Sequence, residues 1–80
     1  METIGFYYDP DAIASRIREE LMSLYATPAE AAKAFRCSRQ VVSSWLCGRN
    51  LPTAYYLGVM SKAGCDIAYI LTGEWEEATL

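Results

Sequence analysis

Two helix-start signals stand eleven residues apart in this chain, and almost nothing separates the helices they open. The first is Thr27-Pro28-Ala29-Glu30. A threonine hydroxyl can accept from a free amide of the first turn, and proline suits the first helical position. A glutamate three residues after the cap can reach back to the cap amide. This capping box predicts a helix from Pro28 to about Phe35. The second signal is Ser38, a cap for a helix from Arg39 to about Leu46 that Gly48 stops. Only Arg36 and Cys37 are left between the two. Helices joined so tightly must cross steeply and bury a shared inside, here Ala32, Phe35, Cys37, Val42 and Trp45. Ala29, Ala31, Ala32 and Ala34 leave room for a second helix to come close.

The other segments also read as helices. Pro10 and Asp11 open the first, with Asp9 or Asp11 as its cap, and Ile13, Ile17, Leu21 and Leu24 recur at helical spacing. Arg16, Arg18, Glu19 and Glu20 fall on other faces. Pro52 or Thr53 launches a fourth helix, with Tyr56, Leu57, Met60 and Ala63 toward the core, and Gly64 ends it. Asp66 caps a last short helix closed by Gly73. No stretch alternates as a strand does, and no repeat or linker interrupts the chain. Eighty residues hold one domain. The expected fold is therefore all-α, a compact bundle of about five short helices, with a helical core over residues 11–74 and an acidic tail at 75–80.

Charge is layered along the chain. Residues 1–30 carry six acids and two bases, and residues 66–80 carry four acids and no base. Residues 31–65 carry Lys33, Arg36, Arg39, Arg49 and Lys62 and no acid. A local basic face matters more for binding a polyanion than the formal net charge of -3, because potentials act over about a Debye length of ~8–10 Å. An uncharged run long enough for a membrane helix is missing, and the acidic start has no cationic leader region, so a cytoplasmic, non-membrane protein is expected. Cys37, Cys47 and Cys65 show no C-x-x-C spacing, and the chain has no histidine. They read as small, mostly buried thiols, with no metal or other cofactor.

Two short helices crossing at a tight turn are the geometry of a helix-turn-helix. Residues 27–48 are similar to that motif in the phage repressor family, the Cro/CI-like (lambda-repressor-like) DNA-binding domains. Ala32 falls on the motif's small position, and Ala31, Phe35, Cys37, Val42 and Trp45 fall on its apolar positions. Gly64-Cys65-Asp66-Ile67-Ala68-Tyr69-Ile70-Leu71-Thr72-Gly73-Glu74 resembles the family's closing helix. Arg36 departs from the pattern. It stands where the family's turn usually has glycine, so the turn must be altered or hold Arg36 in a strained conformation. The resemblance implies a sequence-specific DNA-binding regulator of transcription, a phage or prophage repressor. It is either a complete Cro-sized protein or an N-terminal module.

With Val42 and Trp45 inward, the face of the helix 39–46 toward DNA is expected to carry Ser38, Arg39, Gln40, Ser43 and Ser44, with Cys47 at its edge. Arginine can donate two hydrogen bonds to guanine and glutamine can pair with adenine in the major groove. Thr27, Lys33, Arg36, Arg49 and Asn50 flank that face as candidates for phosphate contacts. One helix reads few base pairs, so a homodimer on a palindromic operator is the expected state. Ile67–Leu80 and Phe6–Tyr8 are the candidate dimer surfaces. An enzyme is not expected: the cysteines lack a histidine base and no glycine-rich loop cradles phosphate. The competing reading keeps the fold and turns its surface to a protein, as an antirepressor or an inhibitor of a host protein. The acidic ends, Tyr7, Tyr8 and Trp75 fit that reading.

Overall fold

The computed structural model describes residues 9–74, and within them the chain forms five α-helices and no strand. These are α1 (Pro10–Leu24), α2 (Pro28–Phe35), α3 (Arg39–Leu46), α4 (Ala54–Ala63) and α5 (Ile67–Thr72). The N-terminal aromatics, Trp75 and the acidic tail lie outside the described residues.

Every helix begins at a side-chain cap. Asp9, Thr27, Ser38, Thr53 and Asp66 each accept from an amide of the first turn. The box at α2 is only half made. Thr27 Oγ1 accepts from the Glu30 amide at 3.2 Å, but the exposed Glu30 carboxylate does not reach back to the Thr27 amide. With its side chain in water, Glu30 retains only its favourable charge in the first turn.

The core is built from Ile13, Ile17 and Leu21 of α1, Ala31, Ala32 and Phe35 of α2, Val42, Trp45 and Leu46 of α3, Met60 of α4, and Cys65 and Ile70. Leu24 shares the α1 stripe but falls in its last turn and stays exposed. In α4 the inward stripe is Tyr56, Val59, Met60 and Ala63, spaced i, i+3, i+4, i+7. Leu57 is not part of it, because it sits about 100° round the helix from Tyr56. The cysteines separate in burial: Cys65 is buried, Cys37 half-buried, and Cys47 exposed. Burial pushes the Cys65 thiol up to about 11, and the negative charge of Glu20 adds to the effect.

One of the other faces of α1 clasps α5. Arg16 Nη1 donates to the Ile70 carbonyl at 2.9 Å. The Asp66 amide donates to Glu20 Oε1 at 2.8 Å, and the Tyr69 hydroxyl donates to Glu19 Oε1 at 2.7 Å. Gly73 closes α5 with φ of 79°, directly over the Arg16 guanidinium. A Cβ there would lie 3.0 Å from Arg16 Nη2. These bonds hold α5, only six residues long, against α1 at both of its ends. No helix among the described residues is long and apolar enough to cross a membrane.

Candidate nucleic-acid interface

Helices α2 and α3 are joined by only three residues, 36–38. Helix α2 ends at Arg36, whose backbone is left-handed at φ 60° and ψ 44°. The Arg36 amide donates to the Lys33 carbonyl at 3.2 Å and the Cys37 amide to the Ala32 carbonyl at 3.0 Å. This turn directs the chain straight into the Ser38 cap of α3, where Ser38 Oγ accepts from the Val41 amide at 3.2 Å. The strained alternative anticipated at Arg36 is the one adopted.

Aromatic rings lock α3 from behind. Trp45 is 3 % exposed, with the Phe35 ring centroid 6.5 Å away and that of Tyr56 at 5.2 Å. Tyr25 meets Phe35 edge-on at 5.6 Å, and Tyr55 meets Tyr56 edge-on at 4.9 Å. A row of rings thus runs from α1's end through the core to the surface. Its outer member, Tyr55, is 70 % exposed. Tyr55 is a surface residue that sequence reasoning missed. Its only signal was the adjacent Tyr55-Tyr56 pair, two rings that a helix cannot both turn inward.

The outer side of α3 carries Arg39, Ser43 and Cys47, one turn apart, with Gln40 beside them, and all four are exposed. Ser38 is exposed at the helix start, and Val41 is 37 % exposed rather than packed in the domain. Ser44 corrects the expectation. It is 9 % exposed, and its hydroxyl donates to the Val41 carbonyl at 2.7 Å. The chain after α3 doubles back over it: the Arg49 and Asn50 amides donate to the Ser44 carbonyl at 3.0 and 3.3 Å. Ser44 therefore belongs to the helix end and not to the outward face. The Arg39–Ser43–Cys47 row runs alongside it, about 60–140° round the helix, and stays exposed.

The flanking candidates are on the surface. Thr27, Lys33, Arg36, Arg49 and Asn50 are all exposed. Thr27 has a structural task already as the α2 cap. Among the described residues, no carboxylate pairs with Lys33, Arg36, Arg39 or Arg49. Their charges are left to the solvent. Of the acids, Asp11, Glu19 and Glu20 lie on α1, the last two engaged in the clasp; Asp66 and Glu74 flank α5, and the exposed Glu30 stands in the first turn of α2. Asp11 comes near the end of α3, where its carboxylate faces Gly48. Ala32, Phe35, Val42 and Trp45 form the inside of the α2–α3 pair as expected.

Comparisons with protein-family models, with curated proteins and with solved structures gave no match for this chain.

Proposed function

We propose that this protein binds duplex DNA sequence-specifically, with the outer side of α3 in the major groove. The observation that carries the reading is that side's composition. Arg39, Gln40 and Ser43 are exposed and acid-free, on a short helix fixed from behind by Val42, Trp45 and Leu46. A major groove about 12 Å wide admits one α-helix, and its base edges match arginine and glutamine bidentately. Arg39 and Gln40 are assigned as base readers, with Ser38 and Ser43 as short side chains that permit close approach. Lys33, Arg49 and Asn50 flank the helix and serve as phosphate contacts. The resemblance to phage repressors makes transcriptional regulation the role of such binding. A homodimer follows from the small surface of one helix, with two copies of α3 about 34 Å apart on a palindromic site.

The test is selection of bound sequences from a random duplex library. Enrichment of a palindrome supports the proposal, and failure to enrich any sequence refutes it. A second reading is favoured by one observation: Val41, Leu51 and Tyr55 expose apolar surface on α3 and just beyond it. That surface suits a protein partner, in keeping with an antirepressor or an inhibitor of a host protein. An unenriched library together with a soluble, folded protein would support it.

A further inference from the structure

Four described residues hold the backbone at positive φ: Arg36, Gly48, Gly64 and Gly73. Three are glycines, the residue that takes this conformation without steric cost. Gly64 and Gly73 end α4 and α5 in the same left-handed way that Arg36 ends α2. The chain therefore uses glycine at two such helix ends and arginine at the third. An L-residue with a long side chain is disfavoured there, because Cβ crowds the following carbonyl. Nothing among the described residues accounts for the choice. The Arg36 side chain is exposed and has no hydrogen bond or ion pair among the described residues. Lys33 already supplies a cation to the last turn of α2, so the helix dipole does not require a second.

We infer that Arg36 is retained against backbone strain because its guanidinium holds a phosphate of the bound duplex, an inference that rests on the DNA-binding reading of α3. Only Cys37 and Ser38 separate Arg36 from Arg39. Three backbone steps span at most roughly 11 Å. The two residues therefore stand closer together than the width of the groove, about 12 Å, whose two walls are phosphate strands. With Arg39 on the base edges, a cation held within that reach has a groove wall inside its range. An arginine there grips a phosphate with two parallel donors and adds affinity on any sequence. Strain at a binding residue, absent from the equivalent turns of α4 and α5, is the pattern expected where function and local stability oppose one another.

The experiment compares the wild type with Arg36→Gly and Arg36→Lys, using thermal melts and titrations of a short random-sequence duplex at several salt concentrations. Arg36→Gly is expected to melt about 3–6 °C higher, because the strain is relieved. It is also expected to lower the slope of log K against log salt by about one unit. Arg36→Lys is expected to keep both the wild-type melt and the wild-type slope. A glycine variant that keeps the wild-type slope overturns the phosphate contact. A glycine variant that melts no higher overturns the strain. Either result leaves the wild type bound to DNA, so the reading of α3 survives. A wild type that binds no duplex even at low salt overturns both.

Discussion

Trp45→Ala tests whether the α2–α3 pair is built as described. The indole is 3 % exposed and touches rings on two other helices, Phe35 of α2 and Tyr56 of α4. A buried tryptophan removes about 150–250 Å² from water. At ~25 cal/mol per Å² that burial is worth about 4–6 kcal/mol. Alanine keeps one carbon of the side chain and the neighbours relax part-way, so the expected loss is about 3–5 kcal/mol. A domain of this length has a total stability of roughly 4–12 kcal/mol. The variant is therefore near or past the edge of folding. With a urea dependence of about 1 kcal/mol per molar, the midpoint should fall by about 3–5 M. Far-UV circular dichroism is the suitable probe, because removing Trp45 removes the buried one of the two tryptophan reporters this sequence offers and leaves Trp75 in the tail. A midpoint shift under about 1 M, with an unchanged slope, would refute the burial of Trp45 and with it the assigned facing of α3.

Other predictions concern the caps, the clasp and a buried thiol. Thr27→Ala should cost about 1 kcal/mol in a urea melt, whereas Glu30→Ala should change stability by less than about 0.5 kcal/mol, since only the threonine half of the box forms. Arg16→Ala removes a charged donor from the Ile70 carbonyl and should cost about 1.5–3 kcal/mol, with faster hydrogen exchange in α5 as its local signature. Stability should fall as pH rises from 9 toward 11. The Cys65 thiol ionises at its ordinary 9.0 in the unfolded chain but is pushed up to about 11 in the fold. The folded state thus keeps a proton that the unfolded state releases, and the contribution, complete below pH 9, is lost across that window. Tyr69 is shifted upward as well by its bond to Glu19, so a Cys65→Ala variant should flatten the decline only in part, as read by melts at stepped pH.

Helices with a side-chain cap and a stop were the legible part of this fold, because those signals are local. Thr27, Ser38, Thr53 and Asp66 act on amides within three residues, and Gly64 and Gly73 end helices that nothing distant specifies. The burial of Val42 and Trp45 followed from their spacing. What spacing alone did not reveal depends on other parts of the chain. Ser44 faces away from Val42 by helical angle, yet it is buried, and the backbone of Arg49 and Asn50 folds back onto its carbonyl. Arg16, Glu19 and Glu20 fall on faces of α1 away from its apolar stripe, and nothing local shows that α5 is brought alongside them, across 46 to 54 residues of sequence. Leu57 was expected inward and is replaced in the stripe by Val59, because one residue past Tyr56 turns the helix by about 100° away from it. The outward set on α3 is the part of the candidate site that was readable, less Ser44.

The central claim is that the exposed face of α3 reads base pairs. It is tested most directly by titrating wild type and Arg39→Ala on the selected site and on random duplex, under one salt condition. A bidentate contact exists only with the right base, so Arg39→Ala should lose about 1–3 kcal/mol on the selected site and much less on random duplex. An equal loss on both would make Arg39 a phosphate anchor and contradict base reading by this face. No loss on either would remove α3 from the interface altogether.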